Sequence, residues 1–355
     1  MVGPRLAGVT RPPVLNWSLT AMIDGSLQQA ITSRVTEALP IRRILVRLNN
    51  ELRFELFGEL TLPGVLRGAN GHLIEKGYLD EYCARTETMP EERARTILPK
   101  LRDIQDYYRA RGAVFIYFIT PSKVAHLPEY FVKLENCPST EAARKNLIPK
   151  YASLLREGGI SVVDSATFIH SLRGKYEVEL FPRGGIHWND LGGTHAADMI
   201  AHEINRQAGT VVAPPFSFTY KIAGVTKSVD RDLAELINVL LPPTKYLTPH
   251  VTFHPSASCG DHPSAKLNVA IVGSSFSHLP AEILARENCL SSLNVYFYLT
   301  LSRHGGIPYQ RLQSDLTEKD LAPLRDARVL ILEGNESLIG RDGYVETLRA
   351  LLAKP

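Results

Sequence analysis

The chain has 355 residues, of which 44% are hydrophobic and 22% charged, proportions typical of a soluble globular protein. Its 40 basic and 37 acidic side chains leave a formal net charge of +3, which excludes an overall electrostatic attraction to nucleic acid. No apolar run approaches the roughly 18 residues that a membrane span needs, and the first eleven residues lack the apolar core of a signal peptide.

The helical spacing of apolar residues predicts helices across residues 19–57, followed by a hairpin at 65–75 around the turn Asn70-Gly71. From there helices alternate with short apolar runs. The run 113–119 is apolar on both faces, as are central strands of a helix-covered parallel sheet. The other predicted elements are helices at 91–111, 140–156, 191–207 and 344–352, and strands at 160–164, 267–272, 293–298 and 329–332.

This alternation predicts an α/β fold with a mostly parallel central sheet. We assign residues 16–355 to a single domain and residues 1–15 to a disordered or vector-derived N-terminus. Residues 211–263 are rich in Pro, Thr and Ser, with one predicted helix near 230–241. We interpret them as an excursion on the edge of the sheet, in preference to a separate domain.

The four cysteines are widely spaced and form no Cys-x-x-Cys pair, so we do not predict a zinc site. Two disulfides in an oxidising compartment and four free thiols remain equally open. The cysteines are Cys83, Cys137, Cys259 and Cys289.

A candidate nucleophile follows the apolar run 267–272, in the sequence Gly273-Ser274-Ser275-Phe276-Ser277. Ligands of open α/β sheets bind beyond the carboxyl ends of the strands, where the N–H groups of a following helix can stabilise an oxyanion. Ser275 at such a position is a candidate for nucleophilic attack. The alternative is that these serines are turn and capping residues, because Ser277 departs from the Gly-x-Ser-x-Gly elbow.

The candidate base is His187, in Gly185-Ile186-His187-Trp188-Asn189. A histidine beside a tryptophan and ahead of a helix can be held with one ring nitrogen facing a cleft. The alternative is a structural histidine with satisfied hydrogen bonds, since the chain has 11 histidines. Weaker candidates are His195, His254, His262, His278 and His304.

Polar residues also follow three other predicted strands, and we expect them on the same rim as Ser275. Lys123 is a candidate to hold a substrate anion, with a solvated loop lysine as the alternative. Arg303 has a similar position after the strand 293–298, and Glu333-Gly334-Asn335-Glu336 follows the last strand in the same way.

The order of these motifs resembles that of the SGNH-hydrolase-like proteins of bacterial polysaccharide O-acetylation, the alginate O-acetyltransferase AlgJ/AlgX family. The resemblance spans about residues 15–353. The motifs that carry it are Asn49-Asn50 and Leu56-Phe57-Gly58, the hairpin from Val65 to Leu73 with His72 in place of the family's Trp, Thr120-Pro121-Ser122-Lys123, His187-Trp188, Gly273-x-Ser275-Phe276-Ser277, and Glu333-x-Asn335-Glu336.

The resemblance implies an SGNH-hydrolase-like three-layer α/β sandwich and a two-step acyl transfer without a cofactor or a metal. Ser275 would attack an acetyl donor with His187 as general base, and a polysaccharide hydroxyl would then accept the acetyl group. The Ser275 N–H and Arg303 would bind the oxyanion, and Lys123 and Trp188 belong to the implied substrate-binding or oxyanion set.

One position departs from the family, whose aspartate stands two residues before the histidine, where this chain has Gly185. Such an aspartate orients the imidazole and stabilises its cation. Three explanations are open, in order of preference: another carboxylate, Asp190 or Asp164, replaces it; a Ser–His dyad suffices; or the protein is a non-catalytic binding member.

By resemblance, we expect a periplasmic O-acetyltransferase acting on an exported polysaccharide and tethered to the inner membrane through an N-terminal segment. A membrane-bound O-acyltransferase would supply the acetyl group. Two alternatives use the same features differently: a carbohydrate acetylesterase with the same Ser–His site, and a non-catalytic glycan-binding or scaffold protein of the export machinery.

Overall fold

The computed structural model describes residues 6, 12–134, 136–255, 267–287, 290, 292–299, 301–304, 310–313, 317–341 and 343–353. The strands are β1 (Val65–Arg67), β2 (Leu73–Glu75), β3 (Val114–Thr120), β4 (Val162–Asp164), β5 (Phe216–Ala223), β6 (Thr248–Pro255), β7 (Asn268–Gly273), β8 (Ser292–Phe297), β9 (Leu301–His304), β10 (Gln310–Gln313) and β11 (Val329–Asn335).

Three helices near the N-terminus cover the region 19–57 that was predicted to be helical. In chain order the helices are α1 (Leu19–Ile23), α2 (Ser26–Ala38), α3 (Pro40–Phe57), α4 (Lys76–Cys83), α5 (Met89–Arg109), α6 (Lys123–His126), α7 (Glu141–Glu157), α8 (Ser165–Ser171), α9 (Asp190–Ala208), α10 (Asp232–Leu236), α11 (His278–Glu287), α12 (Glu318–Arg325) and α13 (Gly343–Leu352).

A seven-stranded sheet forms the centre, in the order β10-β9-β8-β7-β11-β3-β4. The five strands from β8 to β4 are parallel, whereas β9 and β10 add to the β8 edge antiparallel. The predicted α/β class with a mostly parallel sheet is therefore confirmed. The antiparallel edge was missed, because its short strands carry no sustained apolar run.

Apolar side chains fill both faces of the sheet, since every residue of β3 and β11 is buried. On one face, Ile116 and Ile331 pack with α9 and α11. On the other, Phe115 and Leu330 pack with α5, α7, α12 and α13. The result is a helix–sheet–helix sandwich, the expected three-layer arrangement.

The excursion does not extend the central sheet. Strands β5 and β6 pair antiparallel as a separate two-stranded sheet, and β6 contacts α9. Between them lie a 3-10 turn, Ser228–Asp230, and the short helix α10. The predicted helix at 230–241 thus exists, but it is shorter than expected, and it brings the segment against the loop that carries His187.

Cys83, at the end of α4, forms a disulfide with Cys137 ahead of α7. Cys259 and Cys289 lie outside the described residues. None of the described helices is long and apolar enough to cross a membrane.

Candidate active site

Ser275 lies where β7 ends and the chain turns into α11. A 3-10 turn, Ser275–Ser277, separates the two elements. It is closed by hydrogen bonds from Ser277 N to Ser274 O (3.1 Å) and from Phe276 N to Ser274 Oγ (3.3 Å). Ser274 is buried and Ser275 is half-buried, so the turn presents the Ser275 hydroxyl at the carboxyl edge of the sheet.

His187 joins this hydroxyl to a carboxylate. Its Nε2 lies 2.8 Å from Ser275 Oγ, and its Nδ1 contacts Asp232 Oδ2. An ionised carboxylate can only accept, so Nδ1 carries the ring proton and the unprotonated Nε2 accepts the Ser275 O–H. This is the Ser–His–Asp arrangement in which the histidine is ready to remove the hydroxyl proton.

The acid in this arrangement is Asp232, the first residue of α10 and 45 residues after His187. Its other oxygen, Oδ1, accepts a hydrogen bond from Ile186 N (2.9 Å). The same segment occupies the space beside Gly185, where an added Cβ would lie 2.3 Å from Val229 O. Gly185 therefore cannot carry the aspartate that the family has there, and Asp232 makes the contact instead.

The carboxylates expected to replace the family aspartate contact other groups. Asp190 pairs with Lys227 and not with His187. Asp164 caps α8, where its Oδ1 accepts the Thr167 N–H at 2.9 Å. The structure thus corrects both candidates, since each carboxylate already has a local partner.

Lys123 is completely buried and does not line the rim as expected of a substrate ligand. Its Nζ donates to the carbonyl oxygens of Leu73, Pro182 and Gly185 at 2.7 Å each, with Arg183 O at 3.2 Å. Burial lowers its pKa, and Asp232 opposes the shift. Lys123 therefore fastens the loop before His187 to the β1–β2 hairpin.

Trp188 is also fully buried and packs its ring near Phe118 and Phe276, at centroid distances of 6.3 and 6.2 Å. The ring therefore has no exposed surface in this structure with which to contact a substrate. Asn189 caps α9 through bonds from Leu191 N and Gly192 N, both 3.2 Å. Trp188 and Asn189 fix the backbone on the far side of His187.

The N–H of Ser275 is the candidate oxyanion donor. As the first residue of its turn, Ser275 has an N–H that the turn's own hydrogen bonds do not use. The N–H of Ser274 is unavailable because it donates to Glu333 Oε2 (2.6 Å). The backbone of Arg303 pairs with Val295 and Arg311, but its side chain lies outside the described residues, so the expected oxyanion contact is untested.

The motif at the end of β11 supplies two buried carboxylates. Glu333 accepts hydrogen bonds from Ser274 and Thr120 behind the nucleophile turn. Glu336 contacts Ser122 Oγ at 2.6 Å and His170 Nε2 at 3.0 Å. The side chains of this motif are therefore buried behind the rim and do not line its surface.

Two further side chains that the sequence did not predict, Glu75 and Tyr78, interact electrostatically with groups of the site. Burial raises the pKa of Glu75, with His187 lowering it and Asp232 raising it. Burial also raises the pKa of Tyr78, as do the charges of Glu75 and Glu333 among others. Tyr78 packs against the Phe276 ring, with centroids 6.3 Å apart. Glu75 ends β2 and Tyr78 lies in α4, so neither belongs to the polar segments that follow the predicted strands of the central sheet.

The weaker histidine candidates have other partners or cannot be placed. His195 Nε2 contacts the Tyr176 hydroxyl at 2.6 Å, and His254 Nε2 contacts Thr219 Oγ1 at 3.1 Å. His262 and the His304 side chain lie outside the described residues. Among the described residues, no three His, Cys, Asp or Glu side chains are grouped so that they could hold a metal ion.

Several known proteins are similar to this chain. The O-acetyltransferase domain of Pseudomonas putida AlgJ superposes with a TM-score of 0.50 at 16% identity, covering 82% of this chain and all of that one. Pseudomonas aeruginosa AlgX gives a TM-score of 0.48 at 16% identity, covering 79% and 67% of the two chains.

Bacillus cereus PatB1 gives a TM-score of 0.47 at 9% identity, covering 78% and 96%. No sequence among the curated proteins matches significantly. The profile of the family described as "SGNH hydrolase-like domain, acetyltransferase AlgX" matches residues 78–295, more than half of the chain. The chain therefore belongs to the AlgX family of SGNH hydrolase-like acetyltransferases.

Proposed function

We propose that the protein transfers acetyl groups through an acetyl-serine intermediate at Ser275 onto hydroxyls of an exported bacterial polysaccharide. The observation that carries the proposal is the hydrogen-bonded chain Ser275–His187–Asp232 at the carboxyl edge of the sheet, in a member of an acetyltransferase family. A Ser–His pair with an orienting carboxylate is the arrangement used for acyl transfer.

In the first half-reaction, Ser275 Oγ attacks the acetyl carbonyl of the donor while His187 Nε2 takes the hydroxyl proton. Asp232 stabilises the resulting imidazolium, and the Ser275 N–H donates to the oxyanion. Collapse of the tetrahedral intermediate breaks the bond to the leaving group, which takes the proton from His187, and leaves acetyl-Ser275.

In the second half-reaction, His187 removes the proton of a sugar hydroxyl, whose oxygen attacks acetyl-Ser275. The ester bond to Ser275 breaks and Ser275 Oγ recovers a proton from His187, which restores the starting state. The same intermediate would give hydrolysis if water entered instead, so a carbohydrate acetylesterase is the second candidate. The presence of the complete hydrogen-bonded chain favours either enzyme over a non-catalytic scaffold.

We infer a periplasmic location, for which the disulfide between Cys83 and Cys137 is a supporting observation, since disulfides persist in oxidising compartments. A membrane-bound O-acyltransferase as acetyl supplier and a tether to the inner membrane rest on the family resemblance alone.

The test combines intact-mass spectrometry with turnover of a chromogenic acetyl ester, in the presence and absence of an acetylatable oligosaccharide. We expect an acetyl adduct in the unsubstituted protein, its absence in Ser275→Ala, and its retention in Ser153→Ala, which changes an exposed serine on α7. Acetylated oligosaccharide supports the transferase. Release of acetate alone, unaffected by oligosaccharide, establishes the esterase, and an unchanged adduct in Ser275→Ala overturns this site.

A further inference from the structure

Glu333 lies directly beneath the turn that carries Ser275. It is completely buried near the end of β11, where its backbone is paired with Phe118 of β3. Its side chain passes over Gly273, where an added Cβ would lie 2.5 Å from Glu333 Oε2 and 2.6 Å from Glu333 Cβ. The glycine at the end of β7 is thus required by the Glu333 side chain.

Three donors converge on the two carboxyl oxygens. Ser274 N donates to Oε2 (2.6 Å) and Ser274 Oγ to Oε1 (3.0 Å), while the Thr120 hydroxyl also donates to Oε1. The Ser274 hydroxyl oxygen accepts a hydrogen bond from Phe276 N (3.3 Å), and the Thr120 hydroxyl oxygen accepts one from Asn335 Nδ2 (3.2 Å). Their protons are therefore directed at Glu333, an arrangement that suits the ionised carboxylate.

The hydrogen bonds determine where the nucleophile lies. Ser274 is held on its N–H and hydroxyl by Glu333, and its carbonyl accepts from Ser277 N (3.1 Å) and Ser277 Oγ (2.7 Å). Ser275 comes next in the chain, so its direction follows from that of Ser274. Its hydroxyl meets His187 Nε2 at 2.8 Å.

The carboxylate also interacts with the base. Burial raises the pKa of Glu333, while the bonds from Thr120 and Ser274 and the charge of His187 oppose the rise. The charges of Glu333 and His187 thus interact across the nucleophile turn without a contact between the two side chains.

We propose that Glu333 is a positioning residue of this acyl-transfer site: its buried carboxylate holds Ser274 so that Ser275 meets His187, and its charge favours the imidazolium that forms during transfer. This inference rests on the proposed function. Glu333 touches neither the substrate nor the reacting atoms, so it acts through Ser274 and through its charge.

The test compares Glu333→Gln with Thr120→Val, which removes one hydrogen bond to the same side chain and leaves its carboxyl group in place. Two measurements are made: the pH dependence of kcat/KM for an acetyl ester, and the NMR titration of the His187 ring. For Glu333→Gln we expect kcat/KM to fall about tenfold or more, because the nucleophile is displaced. We also expect the acid limb and the ring titration to move to lower pH, because a negative charge is lost.

In Thr120→Val, both midpoints should move less than in Glu333→Gln, because the carboxyl group of Glu333 is retained. Coinciding midpoints in Glu333→Gln and the unsubstituted protein would overturn the inference, whatever the loss of rate or of melting temperature. If Glu333→Gln does not fold, the test uses Glu333→Asp, which keeps the carboxylate charge on a side chain shorter by one methylene. Turnover should then fall while the midpoint of the His187 titration stays unchanged. Full turnover in Glu333→Asp would contradict the positioning role.

The NMR titration separates this inference from the proposed function. If the unsubstituted protein forms no acetyl adduct while Glu333→Gln shifts the His187 titration, the proposed function fails and the coupling between the two side chains stands. If the protein is active and the titration does not move, the role of Glu333 fails and acyl transfer at Ser275 stands.

Discussion

Asp232 supplies His187 with the carboxylate that Gly185 cannot carry, because the turn that precedes Asp232 closes over the Gly185 Cα. A Cβ at Gly185 would lie 2.3 Å from Val229 O and 3.0 Å from the Asp230 carbonyl carbon. The obstruction and the replacement acid therefore come from the same segment. Asp232 also accepts the Ile186 N–H, so it orients both the ring and the backbone of the histidine loop.

The first prediction is that Asp232→Asn lowers kcat/KM for an acetyl ester by about 10³–10⁴-fold, because an amide cannot favour the productive tautomer or stabilise the imidazolium. Steady-state kinetics across pH measure the loss. Asp190→Asn is the matched control: it removes the partner of Lys227 and should leave kcat/KM within a few-fold. Equal losses in the two variants would show that the acid had been assigned wrongly.

The second prediction concerns moving the acid back to the family position. In Gly185→Asp combined with Asp232→Ala, activity should not return, because the new Cβ would overlap Val229 O. The overlap should also cost about 1–3 kcal/mol of unfolding free energy, measured by denaturant titration.

Gly77→Ala provides the control for the Gly185 substitution. Gly77 lies in α4 and an added Cβ would meet nothing within 4 Å. This change should leave stability equal or raise it by about 0.4–1 kcal/mol. Recovery of turnover in the double variant would refute the steric explanation for Gly185.

The sequence predicted most of the central fold, because the strands β3, β7, β8 and β11 are rich in apolar residues and most of their flanking helices have clear periodicity. Motif order also paired Ser275 with His187 as its general base, and the structure brings them into hydrogen-bond contact. Both follow from local patterns at the ends of buried elements.

The rest of the site depends on long-range packing that no local pattern records. Asp232 begins a five-residue helix, where an acidic residue is common for electrostatic reasons alone. Lys123 follows a strand end as rim residues do, yet the β1–β2 hairpin and the loop before His187 fold over it and bury it. In both cases the deciding partner is far away in the chain.

The third prediction is that Lys123→Met destabilises the protein and misplaces His187. The substitution keeps an apolar side chain but removes the donor shared by four buried carbonyls. An unpaired buried polar group costs about 1–3 kcal/mol, so we expect a loss of at least that size in denaturant titration. kcat should also fall, since Gly185 O loses its partner.

Lys133→Met is the control for the loss of a lysine charge, because Lys133 is exposed. It should change neither stability nor kcat appreciably. If Lys123→Met kept full stability while KM alone rose, Lys123 would be a substrate ligand after all.

The fourth prediction concerns acid stability through Glu336. Although burial acts in the opposite direction, His170, Arg85 and the Ser122 hydroxyl lower the pKa of this buried carboxyl from 4.5 to about 2. A group with a depressed folded-state pKa stabilises the fold fully above its unfolded value and loses that contribution as pH falls through the folded value. The window therefore runs from 4.5 down to about 2.

Across that window, Glu336 should contribute about 3 kcal/mol to the pH dependence of unfolding free energy. In Glu336→Gln this part of the dependence should disappear, and stability at neutral pH should fall because Arg85 loses a partner 3.6 Å away. Denaturant titrations between neutral and acid pH measure both effects. Glu141→Gln removes an exposed partner of Lys145 and should leave the pH profile of unfolding free energy unchanged. A Glu336→Gln profile parallel to that of the unsubstituted protein would rule out Glu336 as a source of acid sensitivity.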